Sequence, residues 1–69
     1  MTLKQLRHRT GLTQEQVASA LCAHQTTVYL WEHGQSKPSR PKRRRLAQLY
    51  GCTEQELAEA IIETQAERS

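Results

Sequence analysis

Residues 25–33, QTTVYLWEH, carry side chains with no evident task inside a fold. On a helix, Val28 and Trp31 make an apolar side that can face a core, while Gln25, Thr26, Tyr29 and His33 fall on the other side. Lys37, Arg40, Lys42, Arg43, Arg44 and Arg45 follow. Hydrogen-bonding groups beside a run of cations suit non-covalent recognition of a polyanion. They do not suit catalysis: no acid and base are paired, no nucleophile has an orienting partner, and no glycine loop cradles a phosphate. No enzyme is expected. The three histidines and the two cysteines, Cys22 and Cys52, lack metal-ligand spacing, so neither a metal, another cofactor nor a disulfide framework is expected.

Sixty-nine residues suffice for one small domain, 1–69. A chain this short buries only about 60% of its unfolded-state surface, which leaves little room for an enclosed pocket. Hydrophobic residues make up 36% of it, with no Phe and a mean hydropathy of −0.78. The core is lean, and a partner or self-association is expected to support it. The net charge of +3 is unevenly spread. Residues 1–45 hold nine Lys/Arg against Glu15 and Glu32, a net +7, whereas residues 46–69 hold Arg68 against five glutamates, a net −4. One part suits a polyanion and the other repels it. No apolar run approaches the ~18 residues of a membrane span. Two thiols without a signal peptide fit a reducing cytoplasm.

The elements that must position these residues are helical, because no stretch alternates as a strand does. A first helix spans about Leu3 to Thr10 and stops at Gly11. Thr13, three residues before Gln16, has the spacing of a capping box and opens a second helix with Val17, Ala18 and Leu21 inward. Cys22-Ala23-His24 forces a sharp turn into the third helix, which ends at Gly34. QSKPSRP is an ordered loop, and Pro41 suits the first turn of a fourth helix with Ser39 or Arg40 at its cap and Gly51 at its end. Thr53 and Glu56 form another capping box before a last helix at about 54–67. The expectation is an all-α, five-helix chain.

The run LTQEQVASALCAHQTTVYLWEHG resembles the helix-turn-helix of the phage-repressor and Cro type, the lambda-repressor-like or xenobiotic-response-element family. Counted from Gln14, residues Val17, Ala18, Leu21, Val28 and Trp31 stand where that family has apolar or small residues. LRHRTG, WEHGQSKPS and LAQLYGCTEQEL are similar to its first helix, its post-recognition loop and its last two helices. The resemblance covers about Leu3 to Ile62 and implies a double-stranded-DNA-binding regulator with the helix-turn-helix at about 14–33. Three positions depart from the pattern. Cys22 replaces the usual turn glycine, which implies a positive φ. Arg43 and Arg44 replace leucines, and Leu30 takes a place that is often polar.

A helix of this size can enter the major groove, whose base edges distinguish all four base-pair orientations. The resemblance implies that Gln25 reads a base, with an amide able to bond adenine N6 and N7, and that Thr26 and Leu30 offer methyl surface to thymine. It implies a phosphate role for Gln14. Thr27, Tyr29 and His33 can each give a phosphate one bond, and Lys37, Arg40 and one or two of Arg43 to Arg45 lie near phosphate with the rest solvated. The plainer readings, a solvated Gln25 or a merely exposed Leu30, stay open. Arg7 and Glu32 match positions that form a structural ion pair between the first and third helices.

A single helix-turn-helix reads few base pairs, so a homodimer on a palindromic operator is expected, with half-sites about 34 Å apart. On the last helix Leu57 and Ile61 can close the core, while Ala58 and Ile62 form a second stripe that can contact another copy or another protein. The leading reading is a prokaryotic or phage repressor. The alternatives are an antitoxin whose last helix docks on a toxin, and a protein-interaction module of the same fold that does not read DNA.

Overall fold

A computed structural model describes residues 1–68. Five helices follow one another: α1 (Leu3–Thr10), α2 (Gln14–Ala20), α3 (Gln25–Glu32), α4 (Arg40–Tyr50) and α5 (Glu54–Arg68), with no strand among the described residues. Three of the five starts are capping boxes. The Thr13 hydroxyl accepts from the Gln16 N–H while the Gln16 side chain accepts from the Thr13 N–H, and Thr53 and Glu56 repeat the exchange. The third box, Thr2 with Gln5, has the same spacing and was not anticipated from the sequence. Each satisfies donors that a helix start leaves without partners. α4 instead begins at Ser39 without a side-chain cap, and Pro41 occupies its first turn.

α2 and α3 pack against each other across the short turn, burying Val17, Ala18 and Leu21 with Val28 and Trp31. Cys22 sits in that turn at φ 54, the one non-glycine residue with positive φ among the described residues. The left-handed conformation costs roughly 1–2 kcal/mol without a glycine. The turn is stitched by the Cys22 N–H to the Ser19 carbonyl at 3.2 Å and the Ala23 N–H to the Ala18 carbonyl at 2.8 Å.

Leu3 and Leu6 of α1, Leu46, Ala47 and Tyr50 of α4, and Leu57, Ala60 and Ile61 of α5 complete one core with the α2–α3 residues. α5 closes it by packing on α1 and α4. Its buried Thr64 hydroxyl accepts from the Leu3 N–H at 2.9 Å and donates to the Ala60 carbonyl at 2.7 Å, which fixes the register of α5 against α1. The end of α3 also meets α5. A Cβ on Gly34 would lie 3.2 Å from the Thr64 carbonyl oxygen and 3.3 Å from the Gln65 Cα, and the residue holds φ +72. Glycine is needed there for both reasons.

Candidate nucleic-acid interface

α3 buries Val28 and Trp31 and turns Gln25, Thr26, Tyr29 and His33 to solvent, with Leu30 half-buried at the edge. At about 100° per residue these five outer positions fall within roughly 140° of one another. Thr27 lies beyond the Leu30 edge of that arc and is half-buried. The Tyr29 and His33 rings, one helical turn apart, stack with centroids 3.9 Å apart and an interplanar angle of 28°. Gln14, Gln25, Thr26 and Tyr29 together line an open depression of about 240 Å³, so the starts of α2 and α3 share one surface.

Behind this surface α3 is anchored to α1. Arg7 Nε donates to Glu32 Oε2 at 2.6 Å, Arg7 Nη2 to Glu32 Oε1 at 3.2 Å, and Arg7 Nη1 to the Leu12 carbonyl at 3.0 Å. The two side chains are only 11% and 2% exposed. A carboxylate so buried needs every donor it can recruit. The hydrogen bond to Glu32 raises the Arg7 pKa against the opposing pull of burial. Tyr50 stands in the same field: burial, and then the charge of Glu32, push its phenol up.

Gln14 is the third member of this network, donating its amide nitrogen to Glu32 Oε1 at 3.0 Å. One of the two N–H donors on the side-chain nitrogen expected beside a phosphate is thus held by Glu32 in the free protein. Sequence spacing gave no sign of this, because the contact joins residues eighteen positions apart on different helices.

The basic residues divide. Lys37 and Arg40 are exposed, and neither makes a side-chain hydrogen bond or ion pair among the described residues. Arg43 is half-buried and donates Nε to the Pro38 carbonyl at 3.1 Å, holding the loop between α3 and α4. Lys42, expected to be solvated, and Arg45, left open between phosphate and solvent, reach the end of α2: Lys42 Nζ donates to the Leu21 carbonyl at 3.3 Å and Arg45 Nη2 to the Ala20 carbonyl at 3.4 Å. Unpaired carbonyls at a helix end attract cations, and α4 runs within reach of them. Arg44 lies 3.8 Å from Glu54, with both side chains mostly exposed, an arrangement that contributes little.

On α5, Ile62 is 67% exposed and Ala58 is half-buried beside it. Ala58 also borders a cleft of about 500 Å³ with Arg40, Pro41, Arg43, Arg44 and Glu54. Among the described residues no helix is long and apolar enough to cross a membrane, and no group of His, Cys, Asp or Glu can hold a metal ion.

A family model described as a helix-turn-helix domain matches residues 1–60. The chain belongs to that family, and its five-helix arrangement is of the phage-repressor and Cro type. It is a helix-turn-helix DNA-binding domain. No curated protein and no solved structure matches the chain.

Proposed function

We propose that the protein is a sequence-specific transcriptional regulator, a repressor that occupies an operator as a homodimer. The observation that carries this reading is the outer face of α3, polar and exposed on a helix whose other face is anchored by Trp31 and the Arg7–Glu32 pair. In this reading Gln25 reads an adenine edge, and Thr26 and Leu30 meet thymine methyls. Thr27, Tyr29, His33, Lys37 and Arg40 contact phosphate. Arg43 adds its remaining guanidinium nitrogens, and Gln14 joins them by leaving Glu32. Lys37, Arg40 and Arg43 neutralise three phosphates per protomer and six in the dimer, which gives log K a slope of roughly −5 against log salt for the dimer.

Ala58 and Ile62 of α5 pair two copies across a twofold axis, because an isoleucine 67% exposed beside a half-buried alanine is an apolar patch that an identical patch can cover. The same patch supports a second reading, an antitoxin whose α5 docks on a toxin, or an interaction module that does not read DNA.

Binding of the Gln25→Ala and Lys37→Ala variants to a panel of duplexes tests the assignment. Gln25→Ala should relax preference at one base pair of each half-site by about 1–3 kcal/mol, and Lys37→Ala should weaken every sequence and lower the salt slope by about one for each bound protomer. An equal loss on every sequence for Gln25→Ala would remove Gln25 from base reading.

A further inference from the structure

The motif is held to the rest of the fold unevenly. α2 packs on α3 and α3 on α1, whereas α4 packs on α5 and α1. The end of α2 nevertheless lies beside α4. Its last turn has no basic residue of its own, and it runs straight into Cys22 at φ 54. The carbonyls of Ala20 and Leu21 there are acceptors at the negative end of a helix. Lys42 and Arg45, one turn apart on the same side of α4, supply the donors, at 3.3 and 3.4 Å. Arg45 also lines, with Ala20, Leu21, Gln48 and Leu49, a depression of about 280 Å³ between the two helices.

We infer that Lys42 and Arg45 are positioning residues for DNA binding rather than phosphate contacts. They clamp the end of α2 from α4, and in doing so fix the strained turn that sets the angle at which α3 is presented. Two hydrogen bonds from cations give the end of α2 the counter-charge that its own last turn lacks. Each side chain is drawn to the end of α2 by its hydrogen bond, Lys42 half-buried and Arg45 still exposed, and on this inference neither displaces a counterion from DNA.

The effect on DNA rests on the DNA-binding reading of α3, but the clamp itself does not, and the test separates the two. Hydrogen exchange of the free full chain reads the clamp through the N–H groups of Cys22 and Ala23, which close the turn on Ser19 and Ala18. In Lys42→Ala and Arg45→Ala those amides should exchange several-fold faster while amides in the core of α5 keep their wild-type rates, which also shows that the variants remain folded.

The second arm measures affinity for a mixed-sequence duplex by fluorescence anisotropy across a salt series. Each variant should bind about two- to fivefold more weakly, the size of a cation's interaction with a helix end, with the slope of log K against log salt unchanged. Lys37→Ala is the contrast, with a slope lower by about one for each bound protomer. Unchanged exchange at Cys22 and Ala23, or a slope lowered by that amount in either variant, would overturn the inference. Faster exchange with no duplex binding by wild-type protein would leave the clamp standing and remove the DNA-binding reading instead.

Discussion

Helices α3 and α5 each lay one face on the same core, Val28 and Trp31 from the first and Leu57, Ala60 and Ile61 from the second, yet their outer faces differ in kind. α3 and its end offer an amide, hydroxyls and an imidazole, with Lys37 in the loop after it and Arg40 at the start of α4. α5 offers glutamates, and among them the exposed Ile62. The first surface suits a polyanion with edges to be read, and the second repels a polyanion and leaves an apolar side chain to be covered. How each helix is anchored differs as well. α3 is fixed by a buried ion pair at its end, α5 by apolar packing and the Thr64 hydroxyl.

That contrast is broken most severely at the ion pair. Arg7→Ala leaves Glu32, 2% exposed, as a buried charge without its main partner, and should cost about 3–5 kcal/mol. The total stability of a chain this long is roughly 3–10 kcal/mol, so the variant should melt far below the wild type or fail to fold. The double variant Arg7→Met with Glu32→Leu should lose much less, because no charge is then stranded. Thermal unfolding followed by circular dichroism checks both, and equal losses in the two would mean that the pair acts through packing alone.

Where the turn after α3 meets α5, Gly34→Ala should cost about 2–4 kcal/mol, combining the left-handed penalty with a Cβ pressed to 3.2–3.3 Å against α5. Gly51→Ala, at φ +67 with open space around it, should cost only about 1–2 kcal/mol. Denaturant midpoints of the two variants isolate the α3–α5 approach, and matching losses would show that α5 yields freely there.

A smaller change sharpens the comparison from the α5 side. Ile62→Lys should shift stability by less than about 0.5 kcal/mol, as an exposed substitution does, while placing like charges opposite each other across the twofold axis. Sedimentation velocity should show a dimer for the wild type and a monomer for this variant. A variant that still dimerises fully would move the interface off Ile62.

The smallest effect lies at the start of α5. Hydrogen bonds from Thr53, its backbone N–H first and then its hydroxyl, lower the Glu56 pKa from the usual 4.5. A carboxyl depressed in the folded state contributes stability that is present above its unfolded pKa and is lost as pH falls through the folded one. The loss therefore falls below about pH 4.5. Thr53→Ala should return the Glu56 pKa toward its ordinary value in an NMR titration, and flatten the acid limb of the stability curve slightly.

Local features carried most of the fold into the sequence. Thr13 with Gln16, Thr53 with Glu56, and the glycines at 11, 34 and 51 mark helix limits through spacing alone, whereas the positive φ of Cys22 was implied only by the family resemblance, which puts a glycine there. Thr2 with Gln5 held the same signal and went unread. The interface was legible as a face, because one helix's period sorts Gln25, Thr26 and Tyr29 from Val28 and Trp31. Where long side chains end was not legible. Gln14 on Glu32, Arg43 on Pro38, and Lys42 and Arg45 on the end of α2 all depend on neighbours that only the packed fold supplies. Charge in a sequence says how many cations there are, and tertiary structure decides which of them remain free for a ligand.

The division of labour between α3 and α5 is tested most directly by selecting duplexes from a random pool with the purified protein at moderate salt, then sequencing the enriched DNA. The proposed reading, with α3 reading sequence and α5 joining two copies, predicts an inverted repeat whose half-sites lie about one helical turn apart. Binding that enriches no motif and vanishes as salt rises would contradict it, and would leave the basic side of the molecule as an electrostatic surface only.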